Sequence, residues 1–231
     1  MNRLPFPAHM KRLPLFGLGC VAGAAGVARA ADYVRAFPGE VALLLSVELC
    51  SLTIQREDLS IANLIASGLF GDGAAAVVVA GAERASKGPR VLASRSVFYP
   101  DSERVMGWDI TERGFRIVLS ASVPRVVEEH LGRDVDAFLA EQRLSRRDIR
   151  SWVCHPGGPK VLEAMEKTLG LDDSELALTW KSLQEVGNLS SSSILLVLED
   201  TLREQRPEPG SHGLMIAMGP GFCSELVLLE W

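Results

Sequence analysis

The chain has 231 residues, 47% of them hydrophobic and 23% charged, with a net charge of −5. That length can bury a sizeable core as one large domain or two small ones, and an acidic balance without a basic run argues against a nucleic-acid surface. No stretch is apolar for long enough to span a membrane, and the four cysteines are widely spaced, without a CxxC or zinc-type pairing, which suits reduced thiols in a cytoplasm.

Residues 1–11 hold two prolines and read as the end of something begun earlier. Arg3, Lys11 and Arg12, the weakly apolar Leu13–Val27 and Ala28-Arg29-Ala30 imitate a signal peptide. The apolar part is rich in Gly and Ala rather than Leu, and Gly17 sits badly for a lipoprotein site three residues before Cys20, so secretion is not the reading adopted. Leu13–Gly17 reads as a short strand and Cys20–Ala36 as a helix. Gly23, Ala24, Ala25 and Gly26 have almost no side chain, so this helix can lie deep against other backbone.

Phe37–Glu40 is a turn. Val41–Val47 is a continuous apolar run, predicted to be a strand covered on both faces. Residues 60–69 read as a helix, and the glycine turn Phe70-Gly71-Asp72-Gly73 leads into a second buried strand, Ala74–Ala80. Residues 81–89 are polar and end in Gly88-Pro89, the best internal boundary, dividing residues 1–88 from 89–231.

Beyond it come a strand over residues 91–99 and an amphipathic helix over 122–143. A strand over 149–154 delivers His155-Pro156-Gly157-Gly158-Pro159, followed by a helix over 160–170 closed by glycine. A helix over 175–185 precedes Gly187-Asn188-Leu189-Ser190, which opens the apolar helix Ile194–Arg203. Two apolar strands, 213–218 and 223–229, flank Gly219-Pro220-Gly221. Buried strands alternating with helices indicate an α/β architecture, with sheets sandwiched by helices.

Three residues at structure breaks can carry chemistry together. Cys20 stands at a strand-to-helix turn, where helix N–H groups and dipole favour a thiolate. His155 ends a strand inside rigid Pro/Gly turns, and Asn188 sits in a glycine turn. A thiolate beside an imidazolium is a strong nucleophile, and an imidazole plus an amide N–H can hold a thioester carbonyl and its developing oxyanion. Each has a plainer reading. Cys50, Cys154 and Cys223 are expected to be small buried hydrophobes, His155 can be a structural hydrogen-bonding residue, and Asn188 can simply cap its helix, as can Ser190–Ser193. The order Cys, His, Asn also fits a papain-like protease, whose cysteine signature is absent here.

Gly19-Cys20-Val21-Ala22-Gly23, Leu69-Phe70-Gly71-Asp72-Gly73-Ala74-Ala75-Ala76, His155-Pro156-Gly157-Gly158-Pro159, Gly187-Asn188-Leu189-Ser190-Ser191 and Met218-Gly219-Pro220-Gly221 together resemble the type III polyketide synthases, the chalcone and stilbene synthase family. The resemblance runs from Leu13 to Trp231. The HPGGP and GPG elements separate it from the related ketoacyl synthases.

The resemblance implies a thiolase-like αβαβα fold in two similar halves, normally a homodimer, divided near residues 81–89. It implies that Cys20 takes an acyl group from an acyl-CoA starter, with His155 keeping it a thiolate. His155 and Asn188 would then bind the malonyl-CoA carbonyl, promote decarboxylation and stabilise the enolate, which attacks the Cys20 thioester. Repetition and cyclisation would give a pyrone, resorcinol or phloroglucinol-type ring, with CoA thioesters as substrates and no cofactor or metal.

Around that centre the resemblance places Phe70 at one gate position and Ile117, where the family has phenylalanine, at the other. Ile117 and Trp108 resemble bacterial members that take fatty acyl starters. Cys50 matches a cavity-lining position, and Ser190, Gly219, Pro220 and Gly221 complete the expected substrate-binding set. Only nineteen residues precede Cys20, where the family carries a substantial segment. The expectation is therefore a thiolase-like fold lacking the N-terminal part of its first half. The alternatives are a catalytically impaired fragment, or a condensing enzyme like ketoacyl synthase III.

Overall fold

A computed structural model describes residues 3–84, 87–112, 114–172 and 174–231. Residues 85 and 86 of the predicted boundary lie outside the described residues. The helices are α1 (Ala22–Ala36), α2 (Ile61–Leu69), α3 (Val123–Glu141), α4 (Pro159–Leu169), α5 (Ala177–Val186) and α6 (Ser191–Asp200). The strands are β1 (Val41–Glu48), β2 (Gly73–Ala80), β3 (Arg90–Phe98), β4 (Met106–Thr111), β5 (Gly114–Leu119), β6 (Ile149–Cys154), β7 (His212–Gly219) and β8 (Cys223–Glu230).

The elements stack in layers. A four-stranded sheet in the order β3-β8-β7-β6 is the spine, antiparallel except for the parallel pair β6–β7. Alternate residues of its strands face opposite ways. Leu214, Ile216, Leu226 and Leu228 join Val127, Leu131 and Phe138 of α3 and Leu162 and Met165 of α4 in one core. Met215, Ala217, Val227 and Leu229 join Val21, Ala24, Val27 and Ala28 with Ile194, Leu195 and Val197 in the other. Helices α1 and α6 are therefore the inner layer, and the antiparallel pair β1–β2 packs across their far side. This is the thiolase-like α/β layering expected from the motifs.

Local signals behave as the residue types require. Ser60 caps α2 by accepting the Asn63 N–H at 3.3 Å. Gly170 closes α4 at φ +71°, a left-handed conformation that favours glycine.

Three expectations fail. Leu13–Gly17 is not a strand. The runs in β1 and β2 are covered on one face only: Val41, Leu43, Leu45 and Val47 are 40–67% exposed, and Val78 is 68% exposed. The sheet has two strands among the described residues, with α1 and α6 on one face and a large cavity that runs along β1 and reaches α1. Periodicity alone could not reveal this, because both faces carry apolar residues. The hairpin β4–β5 was also not foreseen. It pairs Trp108 with Ile117 and carries a polar surface cluster, with Asp109 held between Arg104 and Arg116 at 2.8 Å each.

The small residues of α1 do what their size suggests. A Cβ on Gly23 would stand 2.2 Å from the backbone oxygen of Ser191, and one on Gly26 would stand 2.6 Å from Leu44. Helix α1 thus meets the start of α6 backbone to backbone. Arg35 fastens its far end by donating to the carbonyl of Leu92 at 3.0 Å.

Gly23→Ala is expected to lower stability. Overpacking costs about 1–3 kcal/mol, more than the roughly 1 kcal/mol that alanine gains over glycine in a helix. Gly68→Ala in α2, where nothing lies within 4 Å, is expected to be neutral or stabilising. Urea denaturation midpoints of the two variants check the contrast.

Candidate functional site

Cys20 is placed by a short 3-10 turn, Gly19–Val21, that runs directly into α1. It is 5% exposed. The glycine-proline loop between β7 and β8 presses on this turn: a Cβ on Gly219 would stand 2.9 Å from the carbonyl oxygen of Leu18 and from the amide of Val21, and one on Gly19 would stand 2.9 Å from Pro220. Gly219 and Pro220 thus buttress the cysteine from below, while Gly221, at φ +124°, turns the chain into β8.

Asn188 is fully buried, and its carboxamide oxygen and nitrogen each stand 4.0 Å from the Cys20 sulfur. Its Nδ2 donates to the carbonyl of Gly157 at 3.3 Å, inside the turn that follows His155. Its Oδ1 accepts the Ser190 N–H at 2.8 Å. Its backbone is held by Leu69 and Gly71 on either side of Phe70, with which it forms an isolated bridge. Asn188 therefore does not cap α6: its Oδ1 holds the N–H of Ser190, the residue before the helix, while the same carboxamide faces the sulfur.

His155 leaves the end of β6, its N–H bonded to the carbonyl of Ile216 at 2.8 Å. It is 3% exposed, and neither ring nitrogen has a hydrogen-bond partner among the described residues. Two unpaired buried ring nitrogens do not suit a purely structural histidine, because buried polar atoms are otherwise satisfied.

Burial governs the charges. It pushes the Cys20 thiol up to about 12, against smaller opposite effects from hydrogen bonds with Ser190 and Asn188; the nearby Glu48 carboxylate adds to the rise. Burial alone lowers His155 to about 4. Burial thus opposes charge on either group. A reactive thiolate would have to form as its proton leaves.

A cavity of about 1200 Å³ opens beside Cys20 and is lined by Cys50, Phe70, Trp108, Ile117, Ser190 and Pro220, so six of the expected substrate-binding residues share one space with the cysteine. His155, Asn188, Gly219 and Gly221 lie behind that lining rather than in it. Cys154 is buried as expected, but Cys50 and Cys223 are only half-buried. The Cys223 thiol donates to the carbonyl of Pro220 at 3.4 Å, and burial pushes Cys50 up to about 11, with help from Glu48 and Asp72.

Reading the sequence missed Glu48. It ends β1, lines the cavity and accepts the Ser191 N–H at 3.3 Å. Its one signal was an acid closing an apolar run, Val41–Val47. Among the described residues no group of three His, Cys, Asp or Glu could hold a metal ion, and no helix is long and apolar enough to cross a membrane.

Comparison with known proteins adds an independent finding. Residues 1–83 match the family model "Chalcone and stilbene synthases, N-terminal domain", and residues 90–230 match the C-terminal domain of the same family. A 1,3,6,8-tetrahydroxynaphthalene synthase of Streptomyces peucetius is 54% identical over 99% of this chain and 61% of its own length. A putative chalcone synthase of Bacillus subtilis is 45% identical over 100% of this chain and 65% of its own. The crystal structure of 1,3,6,8-tetrahydroxynaphthalene synthase from Streptomyces coelicolor, a bacterial type III polyketide synthase, superposes with a TM-score of 0.94 at 33% identity, covering 100% of this chain and 65% of that one. The chain thus spans less than two thirds of the length of these relatives.

The lowered His155 value has a consequence for stability. Between its ordinary value of 6.5 and about 4 the unfolded chain binds a proton that the folded chain refuses. Stability from this group is fully present above pH 6.5 and falls as the pH drops toward 4, by about 3 kcal/mol at one pKa unit per 1.36 kcal/mol. His155→Gln is expected to flatten that part of the stability–pH curve, read by urea denaturation at a series of pH values.

Proposed function

Because the chain belongs to the chalcone and stilbene synthase family, we propose that it carries the condensing site of a polyketide-forming acyltransferase, which joins an acyl-CoA starter to malonyl-CoA. The Cys20 sulfur attacks the starter thioester carbonyl, its proton passes to His155, and CoA leaves as the thiol. Malonyl-CoA then binds with its thioester carbonyl toward His155 and Asn188. It loses carbon dioxide, and the electron pair left behind forms an enolate whose oxygen is held by the imidazole and the carboxamide N–H. The enolate carbon attacks the acyl-Cys20 carbonyl and the sulfur departs, ready for another acyl group.

The observation that supports this reading best is the 4.0 Å approach of the Asn188 carboxamide to the Cys20 sulfur at the wall of a large cavity. A thiol and an imidazole that are both disfavoured as charged groups by burial suit acyl transfer in which the proton moves as the carbon–sulfur bond forms. That proton leaves with the CoA thiol, and the neutral imidazole keeps one ring N–H to donate to the enolate oxygen.

The product in this reading is a pyrone or resorcinol-type ring. The relatives' names, tetrahydroxynaphthalene synthase and phloroglucinol synthase, point to polyhydroxylated aromatics, the wider class to which resorcinols belong. Ile117 opposite Trp108, with Phe70 on another wall, makes the cavity aliphatic and aromatic, which suits a fatty acyl starter. The reading needs no cofactor beyond the CoA thioesters, a cytoplasmic setting, and a homodimer as the assembled form. Residues 1–88 would be what this chain holds of one thiolase-like half, and 89–231 the other.

The test is acyl-CoA loading followed by peptide mass mapping. The adduct is expected on Cys20 and absent in Cys20→Ala. Asn188→Ala should still load but lose malonyl-CoA decarboxylation by about a hundredfold or more, the usual effect of deleting an oxyanion donor, whereas His155→Gln, without the proton acceptor, should be slowed in loading as well. An adduct elsewhere with Cys20 free would refute the assignment. Saturable acyl-CoA binding with neither adduct nor turnover would favour the competing reading, a thiolase-like fragment that only binds.

A further inference from the structure

Ser46 lies on β1, buried and turned toward α6. Its hydroxyl oxygen stands 2.7 Å from that of Ser191 and 2.7 Å from that of Ser192. Glu48, next on the same face of the strand, accepts hydrogen bonds from the hydroxyl and the N–H of Ser191. A hydroxyl has a single proton to donate. Ser191 gives its proton to the Glu48 carboxylate, so Ser191 must accept from Ser46, and Ser46 must accept from Ser192. The hydrogen bonds run one way, from Ser192 through Ser46 and Ser191 to Glu48, and each polarises the next.

This relay grips a strained turn. Ser190, immediately before α6, holds φ 53° and ψ −129°, a conformation that L residues rarely adopt. Such a residue persists only where its surroundings over-determine it, at a cost of about 1–3 kcal/mol. On one side the Asn188 Oδ1 accepts the Ser190 N–H. On the other, the first two residues of α6 are held by Ser46 and Glu48.

We propose that Ser46 is a positioning residue for the candidate site: its hydroxyl, bonded to Ser191 and Ser192, fixes the Ser190 turn and, through it, the direction in which Asn188 presents its carboxamide to Cys20. Ser46 does not touch the sulfur itself. The inference rests on reading Cys20 and Asn188 as working partners. Its test uses neither acyl-CoA nor malonyl-CoA, so a failure of the polyketide reading and a failure of this one are separable.

The test is the rate of Cys20 alkylation by iodoacetamide between pH 7 and 10, read by peptide mass mapping so that each cysteine is followed separately. Asn188 contact favours the thiolate, so misdirecting the carboxamide slows the reaction. Ser46→Ala is expected to slow Cys20 about tenfold, equivalent to one pKa unit. Asn188→Ala should slow it by a similar factor, and the double variant no further. Ser46→Thr, which keeps the hydroxyl, should restore the wild-type profile.

Mere loosening of the core would instead expose buried Cys154 and speed its alkylation. Should Ser46→Ala fail to fold, Ser192→Ala carries the test. It deletes one arm of the clamp and is expected to slow Cys20 about threefold, the effect of losing one modest hydrogen bond. A wild-type Cys20 rate in the alanine variants, an undiminished effect of Ser46→Ala in the Asn188→Ala background, or faster alkylation of Cys20 and Cys154 together would overturn the proposal.

Discussion

The whole arrangement depends on two helices touching through their backbones. Helix α1 starts beside the nucleophile candidate, α6 starts beside Asn188, and the point of contact is Gly23 against the carbonyl of Ser191. With any side chain at position 23 the helices would stand further apart, and the sulfur and the carboxamide would separate with them. The sheet beneath fixes the rest: β6 delivers His155, and the β7–β8 loop supplies Gly219 and Pro220 under the Cys20 turn. Packing comes first here, and chemistry is assembled where four chain segments converge.

Burial then sets the electrostatics. At Cys20 the loss of water is the largest effect and outweighs the hydrogen bonds from Ser190 and Asn188, and Glu48 adds its charge in the same direction as burial. The dry setting that raises the Cys20 thiol lowers the His155 imidazole. In the same low-dielectric setting, the polar groups that remain have strong and directional effects. The serine relay from Ser192 to Glu48 is an ordered example a few residues away.

Much of this was legible in the residues. The run Gly23-Ala24-Ala25-Gly26 announced a close helix contact because small residues on a helix are otherwise wasted, and Gly170 announced the end of α4. Cys20, His155 and Asn188 stood out because each sits where regular structure breaks. What could not be read was which face of an apolar strand is covered. Val41–Val47, apolar but for Ser46, and Ala74–Ala80 show no useful alternation, and only the stacking of layers shows that Leu44 meets α1 while Leu43 and Leu45 are left exposed. Nor could Ser46 be recognised, since a serine inside an apolar strand looks like a tolerated exception until its two partners, some 145 residues away, are in place. The β4–β5 hairpin was missed although Met106, Trp108 and Ile110 alternate with Gly107, Asp109 and Thr111, because its strands are only six residues long.

The contact between Cys20 and Asn188 can be observed directly. The chain has three asparagines, Asn2, Asn63 and Asn188, so side-chain amide resonances in a nitrogen-labelled sample are few enough to assign. When Cys20 alone is alkylated, the Asn188 amide pair is predicted to shift while that of Asn63 stays where it was. An Asn188 pair unmoved by modification of Cys20 would mean that sulfur and carboxamide do not meet, and the account of this site would be wrong.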